Sequence, residues 1–147
     1  MGLIAAVGRG PVALDTAVFI YFVEEDPVFV DLVQELLAEV AAGRLGAVTS
    51  ALTLLEVLVV PLRSGNRPLA ERYEALLTRS RGLRMAPLDL AQLRAAAQIR
   101  ATYPGIRTPD ALQLAAALTA GCTALVTNDR RLPSIPGLTV LKLSSWV

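Results

Sequence analysis

The stretch Val12-Ala13-Leu14-Asp15-Thr16 decides the predicted fold, because it joins a short apolar run to a polar end. The run follows Gly10-Pro11, and three apolar residues of this kind predict a buried β-strand that ends at Leu14. A carboxylate beside a buried segment loses hydration, so it is paired, protonated or bound to a cation. Asp15 is therefore a candidate functional residue, although a helix cap at the strand exit explains it equally well when it is taken alone.

The same alternation of short apolar runs and helical segments continues along the rest of the chain. Further strands are predicted at residues 46–49, 83–86, 124–127 and 138–143. Helices are predicted at residues 17–24, 30–40, 51–62, 68–80, 89–100 and 108–120. Ser50, Asp89 and Thr108 are the predicted N-caps, and Pro61 with the turn after it is predicted to end the third helix.

Strands that alternate with helices predict an α/β fold in three layers, with a central, mostly parallel sheet of about five strands flanked by helices. The 147 residues fit a single domain, 1–147, without a linker, in which residues 1–11 form an N-terminal extension of unknown role. In such sheets, ligands bind outside the carboxyl ends of the strands. We therefore expect the functional site at that edge.

Four acidic residues are predicted to meet at this edge of the sheet. Asp15 and Asp129 follow predicted strands, while Glu56 and Asp110 lie near the starts of helices that descend from the same edge. The helical neighbours of Glu56 are Leu, Thr and Val residues, so no nearby cation neutralises it. Taken singly, Asp110 is explained by the helix dipole and Asp129 by a turn. Their joint placement, however, predicts carboxylates gathered around a cation.

The chain contains no histidine and a single cysteine, Cys122. The lack of histidine excludes histidine-based triads and histidine-containing zinc sites, and it removes the commonest general base. One thiol cannot form an internal disulfide or a CxxC pair, so Cys122 is interpreted as a small buried apolar residue. Catalysis would have to rest on carboxylates, hydroxyls, arginines or a metal ion.

The apolar content predicts that part of the surface is covered by another chain. The apolar fraction is 54%, whereas soluble proteins average about 45–50%. A homodimer is the simplest expectation. No apolar stretch reaches the roughly 18 residues of a membrane span, and residues 1–11 are too short and too lightly charged for a secretory signal. We therefore expect a cytoplasmic protein that is not in a membrane.

Charge is distributed unevenly although the net charge is only +1. Residues 15–56 carry eight acids against one base, a balance of −7, and residues 57–147 carry twelve bases against five acids, a balance of +7. Such asymmetry fits an anionic polymer bound beside a metal pocket. Solvated helix faces rich in arginine explain it about equally well.

Four segments carry the acids in a fixed order. They are Leu14-Asp15-Thr16 with Phe19-Ile20-Tyr21-Phe22, Thr49-Ser50 through Glu56, Arg107-Thr108-Pro109-Asp110-Ala111-Leu112-Gln113-Leu114-Ala115-Ala116-Ala117, and Leu125-Val126-Thr127-Asn128-Asp129. Together they resemble the PIN-domain ribonucleases, especially the small VapC-like toxins of type II toxin–antitoxin pairs. The resemblance covers roughly residues 12–143, and although each segment is a weak signal, the set of four is specific.

The resemblance implies a metal pocket and a set of partners. It assigns the catalytic and metal-binding roles to Asp15, Glu56, Asp110 and Asp129, with the hydroxyls of Thr16 and Thr127 in support. It also implies Mg²⁺ or Mn²⁺ as the cofactor, RNA as the substrate and a cognate antitoxin that blocks the site. The expected function is thus a metal-dependent endoribonuclease that hydrolyses phosphodiester bonds and serves as a toxin.

Carboxylate oxygens suit Mg²⁺, which keeps several waters and is held through only one or two carboxylates. We hypothesise that a bound ion activates a water to attack phosphorus, with one ion or two taking part. Arg107, beside Asp110, is a candidate phosphate clamp, although a surface counter-charge to Asp110 explains it about as well. Arg130 and Arg131 are weaker candidates for the same role.

Two rival functions remain. A phosphoryl-transfer or receiver-like domain also gathers aspartates at strand ends, but it would need a DxD element or a catalytic lysine, and the only lysine is Lys142. A degenerate PIN-like module would bind a partner through its apolar surface without catalysis. The complete set of four acids favours the nuclease over both.

Overall fold

The computed structural model describes residues 2–147 and contains one parallel sheet. Its strands are β1 (Val12–Leu14), β2 (Ala47–Ser50), β3 (Leu83–Ala86), β4 (Ala124–Thr127) and β5 (Thr139–Lys142). Its helices are α1 (Leu3–Val7), α2 (Thr16–Val23), α3 (Val30–Ala41), α4 (Leu52–Arg63), α5 (Arg67–Arg79), α6 (Leu90–Thr102) and α7 (Thr108–Thr119), and a 3₁₀ turn covers Leu143–Trp146. The predicted α/β class with a five-stranded parallel sheet is confirmed.

The order of the strands places the functional edge beside β1. The sheet runs β3-β2-β1-β4-β5, with every neighbouring pair parallel. From β1 the chain first builds one half of the sheet through β2 and β3, and then builds the other half through β4 and β5. The connections therefore diverge between β1 and β4, the position at which ligands bind in sheets of this kind.

Helices cover both faces of the sheet, because successive side chains of a strand point to opposite faces. Val12 and Leu14 face a cluster of buried residues from α2, α3 and α5, including Phe19 and Leu36. Ala13, between them, faces a second cluster built largely from α6 and α7. These two clusters on opposite faces confirm the three-layer arrangement.

Small side chains bring α7 close to the sheet. All seven residues from Ala111 to Ala117 are buried, and the last four of them are Leu114 and three alanines. Helix α7 contacts β1, β2 and β4. Close approach of α7 matters for the site because this helix carries Asp110 in its first turn.

The N-terminal extension, for which no element was predicted, contains a short helix. Leu3 and Val7 of α1 are buried in the first cluster, and Ile4 and Ala6 pack against it. Residues 3–7 thus add to the hydrophobic core. Among residues 2–147, no helix has the length and apolar character that crossing a membrane requires.

Three predicted helix boundaries are wrong by one or a few residues. Pro61 lies inside α4 and is buried, so its packing offsets the lost backbone hydrogen bond and the helix continues to Arg63. Ser50 is the last residue of β2, although its hydroxyl still accepts a hydrogen bond from the amide of Leu52. Thr108 is the first residue of α7 rather than its cap.

The predicted cap at Asp89 is confirmed. Its Oδ1 accepts a hydrogen bond from the amide of Gln92 at 3.0 Å, in the manner of an N-cap carboxylate. This carboxylate serves the start of α6 and takes no part in the acidic site.

Candidate active site

Asp15 lies where β1 ends and α2 begins, and both of its carboxylate oxygens accept hydrogen bonds. Oδ1 accepts from the backbone amide of Thr16 at 2.8 Å, and Oδ2 accepts from the hydroxyl of Thr127 at 2.6 Å. Asp15 is therefore the N-cap of α2 through Oδ1, whereas Oδ2 makes a hydrogen bond that has no capping role. The bond to Thr127 crosses from β1 to β4 and fixes the orientation of the carboxylate at the divergence point.

Thr16 joins the Asp15 corner to α4. Its hydroxyl donates to Oε1 of Glu56 at 2.6 Å, across 40 positions of sequence. Glu56 is exposed as a whole residue, although its carboxylate is partly desolvated beside the other acids. The expectation that no cation neutralises it is correct, because no ion pair to Glu56 occurs within residues 2–147.

Thr127 joins Asp15 to Asp129 on the other side of the corner. This threonine is fully buried, and its hydroxyl oxygen accepts from the amide of Asp129 at 3.0 Å while its proton goes to Asp15. The Asp129 carboxylate accepts from the backbone amide of Arg131 at 2.9 Å and from its guanidinium Nε at 3.3 Å. Arg131 is therefore occupied as a partner of Asp129.

Asp110 occupies the first turn of α7, where the helix dipole favours a carboxylate. Its Oδ2 lies 3.8 Å from Nε of Arg107, whose side chain is 56% exposed while that of Asp110 is 15% exposed. An ion pair this long and this exposed contributes little to stability. Arg107 therefore lies beside Asp110 as a counter-charge, and more than half of its side chain remains exposed to solvent.

Electrostatics show that the four carboxylates affect one another. Burial raises the pKa of Asp15, and the charge of Asp129 raises it further against the hydrogen bonds from Thr127 and Thr16. Burial likewise raises the pKa of Glu56, with further increases from Asp15 and Asp110. These effects, together with the hydrogen bonds through Thr16 and Thr127, indicate that the four acids lie near one another, and their joint role as a site stays a prediction.

The remaining two carboxylates respond in opposite directions. Burial and the charges of Asp129 and Asp15 raise the pKa of Asp110, although Arg107 opposes the shift. For Asp129, burial is outweighed by the hydrogen bonds and charge of Arg131, so its pKa is lowered. Asp129 thus differs from the other three acids, because an arginine bonded to it favours its charged form.

This acidic group fits a hard divalent cation that keeps part of its water shell. No three carboxylate, histidine or cysteine side chains in residues 2–147 are arranged to enclose an ion directly. Oxygen-only donors and uncompensated negative charge at Asp15 and Glu56 suit Mg²⁺, which binds few carboxylates and retains water ligands. The donor chemistry is therefore compatible with Mg²⁺ or Mn²⁺ held partly through water.

Three buried polar residues beneath the carboxylates were not selected from the sequence as site residues. Thr49, Thr53 and Gln113 are 1%, 0% and 3% exposed. The sequence contained a signal for two of them, because each is a polar residue in an apolar segment. Gln113 interrupts a run of alanine and leucine, and Thr53 precedes Glu56 by three positions on an apolar helix. Polar side chains buried in such segments need hydrogen-bond partners.

Comparisons with known proteins agree with this fold. A family model of the PIN domain matches residues 12–138. The chain is 30% identical over 118 residues to Ribonuclease VapC7 of Mycobacterium tuberculosis, which covers 80% of this chain and 81% of that protein.

Solved structures share the fold at lower sequence identity. VapBC2 from Rickettsia felis, bound to a promoter DNA fragment, has a TM-score of 0.69 and 18% identity, covering 89% of this chain and 97% of that one. DNA-bound VapBC from Salmonella typhimurium has a TM-score of 0.61 and 21% identity, covering 90% and 97%. The family model spans β1 to the residue before β5, and with the 30% relative it shows that this chain belongs to the PIN-domain family.

Proposed function

We propose that this chain is a metal-dependent endoribonuclease that hydrolyses RNA phosphodiester bonds as the toxin of a toxin–antitoxin pair. The observation that carries the proposal is the group of four carboxylates at the divergence point, in which Asp15 and Glu56 have hydroxyl partners and, among residues 2–147, no ion pair. Ribonuclease VapC7, the relative at 30% identity, supports RNA as the substrate. The neighbouring VapBC complexes support an antitoxin as the partner.

Asp15, Glu56, Asp110 and Asp129 would hold Mg²⁺ or Mn²⁺, directly or through water. When bound, the ion supplies an activated water and offsets charge on the phosphate oxygens. The chain's own contribution is orientation. The hydroxyls of Thr16 and Thr127 donate their single protons to Glu56 and Asp15, which fixes the orientation of these carboxylates and leaves further lone pairs for a metal or its water.

Proton transfer has to use a carboxylate or solvent, because the sequence has no histidine. A general base works best when its pKa approaches the operating pH. Asp110, Asp129 and solvent are the available acceptors for a proton from the attacking water.

Two exposed arginines near the acidic group are suited to the RNA backbone. Arg107 is held only loosely by Asp110, and Arg130 makes no ion pair within residues 2–147. We assign Arg107 to phosphate contact and keep Arg130 as an additional contact. Arg131 is assigned instead to Asp129, whose two carboxylate oxygens it reaches.

An apolar surface on α4 supports the proposed homodimer. Leu55, Val59, Val60 and Leu62 are 58%, 40%, 64% and 65% exposed, and they lie within two turns of one helix. Several large apolar side chains exposed on one helix are typical of a protein interface. Cellular RNA and an antitoxin partner place the protein in the cytoplasm under this proposal.

The decisive experiment is cleavage of mixed bacterial RNA by the purified chain with Mn²⁺, Mg²⁺ or a chelator, beside Asp15→Asn. Asp89→Asn is the matched control, because it makes the same chemical change at an N-cap where asparagine serves as well as aspartate. We expect discrete products that need the metal, disappear in Asp15→Asn and persist in Asp89→Asn. Equal cleavage by Asp15→Asn would contradict the proposed metal site.

Binding separates the nuclease from the degenerate binding module. Mn²⁺ uptake measured by calorimetry should be present in the wild-type chain and lost in Asp15→Asn. A chain that neither cleaves RNA nor takes up Mn²⁺, yet still forms a dimer, would favour the partner-binding module.

A further inference from the structure

A buried side-chain hydrogen bond joins α7 to α4 beneath the acidic group. Nε2 of Gln113 donates to Oγ1 of Thr53 at 2.8 Å, across 60 positions of sequence. The amide oxygen of Gln113 faces the backbone N–H of Ser50 at 3.4 Å. Gln113 is 3% exposed and Thr53 is fully buried, so water does not compete for these bonds.

The protons of the neighbouring hydroxyls can be assigned, because each hydroxyl donates once. Thr49 donates to the carbonyl of Leu14 at 2.7 Å, and Thr16 donates to Glu56 at 2.6 Å. Thr53 must then donate to Thr49, 2.8 Å away, with the more distant Thr16 hydroxyl at 3.3 Å. The lone pairs of Thr53 are thus free to accept the Gln113 proton. Each group then donates to the next, from Gln113 to Thr53, to Thr49 and to the carbonyl of Leu14.

Sequence spacing places each end of this bond one helical turn from a carboxylate. Residues three apart lie on the same face of a helix, so Gln113 shares a face of α7 with Asp110, and Thr53 shares a face of α4 with Glu56. The Gln113–Thr53 bond therefore spans the same two helices as the Asp110–Glu56 pair.

The two interactions act in opposite directions on the separation of the helices. Asp110 and Glu56 carry like charge, each one turn from this bond on two helices that touch, so they repel each other. Helix α4 packs mainly on α5 and touches α7 along a short stretch. Within residues 2–147, Gln113–Thr53 is the side-chain hydrogen bond that joins α4 directly to α7.

We propose that Gln113 is a positioning residue, which through Thr53 holds α4 and α7 at the separation at which Glu56 and Asp110 can share one cation. The neutral bond holds the helices together where the carboxylates push them apart. The reference to a cation rests on the proposed function, whereas the tie between the helices can be tested without any metal.

The first test is a double-mutant cycle measured by thermal unfolding at pH 7 with a chelator. Glu56→Gln removes the repulsion and should raise the melting temperature by about 2–5 °C when Gln113 is present. In Gln113→Leu the helices have already moved apart, so the same Glu56→Gln change should raise it by less than half as much. Equal increases in the two backgrounds would overturn the proposal.

Thr53→Val gives an independent version of the cycle, because valine has nearly the shape of threonine but neither donates nor accepts. Thr53→Val should reduce the rise in melting temperature that Glu56→Gln causes, as Gln113→Leu does. Thr53→Ser keeps the hydroxyl and should restore the full increase. Failure of serine to restore it would overturn the proposal, because packing rather than the hydrogen bond would then be responsible.

A matched control exists at the opposite end of α7. Nε2 of Gln92 donates to the hydroxyl of Thr119 at 2.7 Å, so Gln92→Leu removes the same type of glutamine–threonine bond far from the carboxylates. It should lower the melting temperature without changing the Glu56→Gln increase. An equal loss of that increase in Gln92→Leu would show general loosening and overturn the assignment to Gln113.

The second test measures Mn²⁺ affinity by calorimetry. Gln113→Leu and Thr53→Val should raise the Kd about tenfold or more, the usual effect of losing a group that orients metal ligands, while Thr53→Ser and Gln92→Leu should keep the wild-type value. An unchanged Kd in both variants would overturn the metal part of the inference. Absence of Mn²⁺ binding by the wild-type chain would instead contradict the proposed function. The double-mutant cycle in chelator would still test whether the Gln113–Thr53 bond holds the two helices together.

Discussion

The hydroxyl of Thr127 donates to Oδ2 of Asp15 at 2.6 Å, and the two residues are 112 positions apart in sequence. The bond crosses from β4 to β1, the two strands between which the chain connections diverge. Because the same hydroxyl oxygen accepts from the amide of Asp129, one buried threonine sets the relative positions of two site carboxylates. Its effect on the site can be measured.

Thr127→Val should weaken Mn²⁺ binding and RNA cleavage by about 10- to 100-fold, since it removes the group that orients Asp15. Thr127→Ser should remain within a few-fold of wild type because it keeps the hydroxyl. Calorimetry and initial cleavage rates give the two values. Thr139→Val, a change at an exposed position of β5, is the control and should leave both unchanged.

Glu56→Gln should abolish cleavage and raise the melting temperature in chelator at pH 7 by about 2–5 °C. The native pKa of Glu56 lies above its ordinary value of 4.5 because burial and then the neighbouring carboxylates disfavour the charge. The native state therefore holds this proton more tightly than the unfolded state does. Stability from this group is greatest below pH 4.5 and decreases as the pH rises through the native value.

The pH dependence of unfolding checks the sign of that effect. Wild type and Glu56→Gln should have similar melting temperatures near pH 4, and the variant should gain an advantage as the pH rises toward 7. Glu39→Gln provides a contrast, because Arg44 hydrogen-bonds to Glu39 and lowers its pKa. A Glu56→Gln advantage that is the same at pH 4 and pH 7 would contradict the charge explanation.

Saturating Mn²⁺ should stabilise the wild-type chain, since a ligand that binds only the native state adds about 2.7 kcal/mol at one hundred times its Kd. Differential scanning fluorimetry with and without a chelator measures the shift. Asp15→Asn should lose the shift, whereas Asp89→Asn should retain it. The shift should also shrink as the pH falls, because protons compete with the metal for Asp15 and Glu56.

Arg107→Gln should weaken RNA binding and reduce its dependence on salt. Each phosphate contact to a single strand contributes about 0.7 to the slope of log affinity against log salt. The slope should fall by about this amount when binding is measured between 50 and 200 mM salt. Arg44→Gln, at an exposed arginine paired with Glu39, should keep the wild-type slope. An unchanged slope in Arg107→Gln would leave this arginine as a counter-charge to Asp110.

The sequence by itself determined the layout of the fold. β1, β3 and β4 have the predicted bounds, because short apolar runs flanked by Gly, Pro and polar residues are local signals. The placement of the four acids followed from the same alternation, since the carboxyl ends of parallel strands share one edge. Helix boundaries were less certain, and Pro61 shows why: buried packing kept α4 intact where the local rule ends a helix.

Only the tertiary structure decided how the acids are held and charged. Gln113 meets Thr53 across 60 positions, and no local pattern identifies partners so far apart. The direction of each pKa shift likewise depends on neighbours in space. Arg131 lowers the pKa of Asp129, whereas burial raises the pKa of Asp15. Hydrophobic periodicity is a property of consecutive residues, whereas hydrogen-bond direction and desolvation depend on how distant segments pack together.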